Sequence, residues 1–195
     1  MNWLSQIALI IVSALVGAWV THRLSRYQQR HAFFEQQLRE FYSPLLGLRE
    51  EIRLKGVLRV RLHATSDEEW RRLCEETKAM HNPIEASVRL SKERAPDFVK
   101  VIEYDNDQLR NVILPAYRQM LAMFREKPYL ADEETHQYLP ALAEFVDLWD
   151  RCLTKTIPWE VIEKLGPSEK ELLPFYEHLQ KKHDELRKIL ADGKA

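Results

Sequence analysis

The chain has 195 residues, and its 29 Lys and Arg are balanced by 30 Asp and Glu, so the formal net charge is −1. Only five residues are glycine, and none lies between positions 57 and 165. Because phosphate-cradling loops and tight hairpin turns depend on glycine, this composition argues against a nucleotide-binding α/β domain and against a β-sandwich. The two cysteines, Cys74 and Cys152, are typical of buried thiols rather than of a disulfide framework.

The first element in the chain is an apolar run without a charged side chain, which extends from Trp3 to Val20. A helix needs about 17–25 residues to cross a bilayer, so the sequence predicts a single transmembrane anchor over residues 1–21. Trp3 and Trp19 lie near the ends of this run, where amphipathic rings favour the headgroup region. The alternative is a signal peptide cleaved near residues 16–18, which the lack of a positively charged n-region disfavours.

The charges that flank the apolar run predict its orientation. Arg23, Arg26 and Arg30 follow the run, and no Lys or Arg precedes it. Because Lys and Arg near a span stay on the cytoplasmic side, the rest of the chain is expected in the cytoplasm. Small residues at a four-residue spacing within the anchor indicate a candidate homodimer face, formed by Ser13, Gly17 and Thr21.

Residues 22–63 form a predicted basic, membrane-proximal helix, and residues 64–195 a predicted helical domain. Residues 21–63 carry nine Lys or Arg against four Asp or Glu, whereas residues 64–195 carry twenty against twenty-six. The basic part is expected to contact the lipid bilayer or to form a solvated helix. Nucleic acid is not expected as a partner, because the remaining chain is acidic and no aromatic residue interrupts the basic run over 53–61.

An apolar stripe within the basic segment is too large to stay exposed on a free helix. We interpret it as a candidate interaction stripe, formed by Phe33, Phe34, Phe41, Tyr42 and Leu45. There are two alternatives for the segment that packs on this stripe: the final helix over about 175–190, or the same stripe of a second subunit. The run from Leu38 to Leu45 resembles an FY-x-PL stretch found after the single crossing in small bacterial membrane proteins. That resemblance implies a bacterial inner membrane and carries no catalytic assignment.

Helix start and stop signals recur through the rest of the chain. Predicted starts lie at a capping box that begins at Ser66, at Asn82-Pro83, at Ala95-Pro96, before Pro158 and at Ser168, and Gly166 is a predicted helix end. Together with the apolar periodicity, these signals predict an all-α domain of four or five helices behind the anchor. Four prolines inside the apolar patterns either kink helices or mark their ends: Pro44, Pro115, Pro140 and Pro174.

No catalytic constellation is apparent in the sequence. Glu133 and His136 form one Glu-x-x-His pair, whereas a di-iron bundle needs two such pairs and two further glutamates. His178 and His183 are five residues apart, which is an unsuitable spacing for one helix face and indicates a solvated surface. The sequence therefore predicts no enzyme activity, no metal and no cofactor.

These observations favour a single-pass, membrane-anchored interaction module with a protein partner. A sensor that binds a small molecule or lipid between kinked helices is the alternative, and a lipid-acting enzyme is a third possibility. Aromatic residues at helical spacing are candidates for lining a sensor cavity: Tyr104, Tyr117, Tyr138, Trp149 and Trp159.

Overall fold

The computed structural model describes residues 3–166 and 168–193, and the side chains of residues 1–14 and of Trp159 lie outside that description. Every regular element within these ranges is helical, so the predicted all-α class is confirmed. The long N-terminal pieces are α1 (Trp3–Gln37), a π-helical turn (Leu38–Tyr42) and α2 (Ser43–Lys78). Next come α3 (Pro83–Gln108), a second π-helical turn (Leu109–Ile113) and α4 (Leu114–Glu126).

The C-terminal part consists of shorter helices. A 3₁₀ turn (Pro128–Leu130) precedes α5 (Glu133–His136), which is followed by α6 (Leu139–Leu153) and α7 (Trp159–Leu165). A second 3₁₀ turn (Glu169–Leu172) leads into α8 (Leu173–Ala191). Among the described residues, no helix is long and apolar enough to cross a membrane. The predicted anchor over 1–21 falls mostly on residues 1–14, where the side chains are not described.

Three of the predicted helix ends are confirmed. The Asn82 side chain accepts a hydrogen bond from the Glu85 N–H at the start of α3. Gly166 ends α7 in the left-handed region, with φ at 58°. Ser168 accepts from the Lys170 N–H at the start of the turn before α8. Each end depends on a side chain or a backbone angle within a few residues, which is why sequence patterns reveal them.

The predicted helix starts at Ser66 and at Ala95-Pro96 are wrong. Helix α2 continues through Ser66, and so crosses the predicted boundary between residues 63 and 64, while α3 continues through Pro96. The physical reason is the contact between these two helices, which form an antiparallel hairpin. Trp70 and Phe98 lie beyond the predicted starts and pack ring against ring, with centroids 5.1 Å apart. Packing between the two helices outweighs the local preference of these residues for a helix start.

The four prolines within the apolar patterns all occupy the second position of a helix. Pro140 and Pro174 begin α6 and α8 after turns, so they mark helix ends. Pro44 and Pro115 each follow a π-helical turn inside a longer helical path. Proline cannot donate to the carbonyl four residues earlier, which for Pro44 is that of Glu40. The Lys127 ammonium compensates by donating to this oxygen at 3.4 Å.

The hydrophobic core lies where α4, α6 and α8 surround the first π-helical turn and the start of α2. Phe124 is at its centre, with its ring centroid 5.2 Å from that of Phe41 and 6.0 Å from that of Phe175. No member of the core cluster lies between Ile52 and Leu109 in the described chain. Most of the α2–α3 hairpin therefore extends beyond the core.

Candidate interaction surfaces

Helix α8 packs on the first π-helical turn and provides the predicted cover for much of the apolar stripe. Phe41, Tyr42 and Leu45 are fully buried inside this single chain. Phe34 is half-buried, and Phe33 remains 40% exposed. The structure thus leaves the N-terminal end of the stripe at the surface and places the rest in the core.

A polar cluster fixes α8 to the first π-helical turn. The Thr135 hydroxyl lies 2.9 Å from the Tyr42 hydroxyl and 2.8 Å from His178 Nε2. The Asp132 carboxylate caps α5 by accepting the Thr135 N–H at 3.0 Å, and its second oxygen is paired with the Lys182 ammonium. We call these five residues the Asp132 cluster. It joins segments about ninety residues apart in the chain.

Sequence reasoning missed the Asp132 cluster. His178 was expected on a solvated face, and the structure corrects this, because its side chain is only 11% exposed. Burial raises the pKa of the Tyr42 hydroxyl. Burial alone would also raise the pKa of Asp132, but hydrogen bonds from Lys182 and Thr135 outweigh it and the pKa is lowered. No local signal could have identified the cluster, since its members approach only in the folded chain.

The described start of α1 presents an apolar surface. Five large side chains are 50–65% exposed there: Leu15, Val16, Trp19, Val20 and Leu24. Arg23 lies over the Trp19 ring, with its guanidinium carbon 5.3 Å from the centroid. In the candidate homodimer face, Gly17 and Thr21 are exposed, whereas the Ser13 side chain lies outside the description. An exposed apolar patch of this kind is typical of a contact site.

A basic groove follows the apolar surface along α1. It is open to solvent, encloses about 690 Å³ and includes Arg23, Arg26, Arg30 and Phe33 in its lining. None of the three arginines forms an ion pair with any carboxylate that the structure describes. The Tyr27 hydroxyl, also in the groove, donates to the Gly193 carbonyl at 3.0 Å and so ties the end of the chain to α1. These three arginines therefore line the groove without an ion-pair partner among the described residues.

The α2–α3 hairpin forms a second surface. Its seam is thin and partly polar: His63 Nε2 lies 2.6 Å from Asp105 Oδ2, and Asp105 is only 4% exposed. Further along the seam, the Thr77 and Ser87 hydroxyls are 3.2 Å apart. Helix α2 also carries an exposed apolar row, 41–58% exposed and spaced by three or four residues, formed by Leu54, Val57, Leu58 and Leu62. A row with this spacing is typical of a helix that packs against another helix.

The five aromatic residues considered for a sensor cavity do not share one cavity. Tyr117 and Trp149 line the same cavity beside α2, and Tyr104 lines a neighbouring one. Tyr138 packs on Phe175, with ring centroids 5.7 Å apart. The Trp159 side chain lies outside the described part of the chain.

The histidine and cysteine residues considered above for catalysis or metal binding do not form a site in the described structure. His136 Nε2 lies 3.0 Å from the Pro128 carbonyl oxygen, and Cys74 and Cys152 are free thiols. Within the described residues, no group of three His, Cys, Asp or Glu side chains is arranged to hold a metal ion. No protein-family model, curated protein or solved structure matches this chain. The surfaces and cavities of the chain itself are therefore the basis for a functional proposal.

Proposed function

We propose that this chain is a single-pass, membrane-anchored protein whose cytoplasmic helical domain presents the α2–α3 hairpin to a protein partner. The observation that carries the anchor is the order of residues along α1. The uncharged run from Trp3 to Val20 ends in exposed apolar side chains, and three arginines without ion pairs in the described chain follow it. Apolar residues in hydrocarbon followed by arginines at the cytoplasmic headgroups account for this order.

The length of the helical path favours a protein partner, rather than lipid, at the hairpin. From Thr21 to Leu54 the helical path rises about 50 Å. Where α1 stands upright on the membrane, that distance far exceeds a Debye length of about 8–10 Å. Lipid charge then has little influence on Arg53 and Lys55, and the exposed row of α2 is available to another protein.

The charges beside the exposed row indicate the chemistry of that partner. Lys55, Arg59 and Arg61 lie within the same two turns of α2, and no acidic residue occurs between Arg53 and His63. An amphipathic helix with an acidic flank would match both the row and these charges. The proposed partner therefore contributes an acidic amphipathic helix that packs along α2.

Changing Leu54 to Glu is expected to abolish binding of the partner, because it places a charge in the middle of a helix–helix contact. The measurement is photo-crosslinking from position 57 in native membranes, followed by sequencing of the crosslinked peptide. Leu173→Glu is the matched control, since Leu173 is an exposed leucine on α8 and should leave the crosslink unchanged. Equal crosslinking in both variants, or a crosslinked peptide without acidic residues, would contradict the proposed surface.

A reporter that is active only in the cytoplasm is expected to be active when it is fused after residue 195. The fusion should also remain in the membrane fraction after an alkaline wash, because the anchor spans the bilayer. Replacing Arg23, Arg26 and Arg30 together by Gln should reduce the fraction of molecules whose C-terminal domain is in the cytoplasm. These residues supply the positive charge nearest to the span. A matched control replaces three exposed arginines far from the span: Arg71, Arg89 and Arg125. A wild-type fusion found in the soluble fraction would overturn the anchor.

A further inference from the structure

A small apolar cavity lies beside the second π-helical turn, next to the exposed row of α2. Its volume is about 110 Å³, and its apolar walls include Ile52 of α2, Leu109 and Ile113 of the π-helical turn, and Phe145 of α6. A π-helical turn inside an α-helix is often found at a functional site, because it displaces side chains from the regular helical register. Here the turn supplies part of the cavity wall.

Two hydrogen-bond donors line this cavity without an acceptor. The Trp149 indole nitrogen is buried and has no hydrogen-bond partner in the described structure. Arg59 is half-buried, and no described carboxylate lies within ion-pair distance of its guanidinium group. Native proteins rarely leave buried donors unpaired. A ligand that brings an acceptor would satisfy both groups.

The acidic residue beside the cavity is already engaged. Glu169 Oε1 accepts hydrogen bonds from the Tyr117 hydroxyl at 3.0 Å and from the Tyr176 hydroxyl at 3.4 Å. Burial raises the pKa of both tyrosines, so both hydroxyls stay protonated and remain able to donate near neutral pH. Glu169 Oε1 thus has its hydrogen-bond donors within the chain, whereas Arg59 has no described carboxylate partner, so a ligand that pairs with Arg59 carries a negatively charged acceptor.

The apolar part of a ligand has limited room. The cavity is smaller than the 150 Å³ engineered cavity that binds benzene, so it accommodates an alkyl group of about four to six carbons. A neighbouring cavity of about 50 Å³ shares Arg59 and Ile113, and Leu58 and Leu62 extend its apolar lining. At Gly56 the α2 wall has no side chain, and a Cβ placed there would contact nothing within 4 Å.

From this geometry we propose that the cavity binds a short-chain aliphatic monocarboxylate. The carboxylate accepts hydrogen bonds from Arg59 and Trp149, and the alkyl chain packs against Ile52, Ile113 and Phe145. Such a site lies between the α2–α3 hairpin and the core, so its occupation stabilises the contact of α2 with α4 and α6. The inference does not depend on the membrane anchor, and it shares one residue, Arg59, with the surface proposed for the protein partner.

The test compares three molecules of six carbon atoms each, which differ in their head group, by isothermal titration calorimetry on the full chain in detergent. Hexanoate is expected to bind at least about tenfold more tightly than hexanol, because a charged acceptor gains more from Arg59 than a neutral one. Hexylammonium is expected not to bind. Hexylammonium binding as tight as that of hexanoate, or no saturable binding of hexanoate up to millimolar concentrations, would overturn the proposal.

Three variants locate the binding. Arg59→Gln should remove the preference for hexanoate over hexanol, whereas Arg61→Gln, at an exposed position two residues along, should retain it. Gly56→Leu should fill the open wall and abolish binding of both molecules, while the higher helix propensity of leucine keeps α2 folded. Circular dichroism verifies the fold of each variant. Unchanged hexanoate affinity in Arg59→Gln or in Gly56→Leu would place the ligand elsewhere and refute the site.

Discussion

Replacing Phe175 by Ala is expected to reduce the free energy of unfolding by about 3–5 kcal/mol, a large part of the stability of an ordinary domain. Phe175 is only 1% exposed, and its ring lies against those of Phe124, Tyr138 and Tyr176. Its ring centroid lies 6.0 Å from that of Phe124 and 5.8 Å from that of Tyr176. Removing the ring leaves a cavity at the contact between α8 and the covered part of the apolar stripe.

The matched control for this change is Leu173→Ala on the same helix. Leu173 is 48% exposed, so its truncation should change the free energy of unfolding by no more than about 0.5 kcal/mol. Urea denaturation followed by circular dichroism measures both variants. Deleting residues 168–195 should have the stronger effect of exposing Phe41 and Leu45, and should cause aggregation or degradation. Equal stabilities of the two point variants would mean that α8 is peripheral and that another element covers the stripe.

The features of the fold that sequence reasoning predicted are those determined by neighbouring residues. Asn82 identifies a helix start because its side chain bonds to a backbone N–H three residues later. Gly166 identifies a helix end because its φ of 58° is unfavourable for residues with a side chain. The packing of α8 on the apolar stripe was also predictable from the sequence, since both segments carry large apolar faces that need burial.

The features that sequence reasoning missed depend on residues far apart in the chain. Helix α2 continues through the capping box at Ser66 because Trp70 packs on Phe98 of another helix. The Asp132 cluster joins positions 42, 135 and 178, which no periodicity relates. The cavity beside the second π-helical turn depends on a turn whose position is not evident from residue type alone. Local patterns therefore predicted element types, while the possible sites emerged only from tertiary contacts.

Replacing Asp132 by Ala is expected to destabilise the chain by about 2–3 kcal/mol at neutral pH. Two losses combine in this variant. The start of α5 loses the side chain that accepts the Thr135 N–H, and the partly buried Lys182 ammonium loses its paired carboxylate. Asp132→Asn separates the two effects, because asparagine caps a helix start equally well but carries no charge. The Asn variant should therefore recover about half of the lost stability.

The pH dependence of the unfolding free energy shows how much of that loss comes from the ion pair between Asp132 and Lys182. The pKa of Asp132 is lowered in the folded chain, so its contribution is present above the unfolded value of about 4 and is lost as the pH falls through the folded value. Burial alone would lower the pKa of Lys182, but the hydrogen bond to Asp132 outweighs it and the pKa is raised. Its contribution is therefore present below the unfolded value of about 10.4 and is lost as the pH rises through the folded value.

The difference in unfolding free energy between the wild type and Asp132→Asn should accordingly be constant between about pH 5 and 10 and should shrink on both sides. Urea denaturation at a series of pH values measures it. Lys181→Gln is the control, because Lys181 lies in an exposed pair with Glu185 and should give a difference near zero throughout. A difference that persists unchanged at pH 3 would show that the Asp132 carboxylate acts as a hydrogen-bond acceptor alone. The ion pair with Lys182 would then not be what holds α8 against α5.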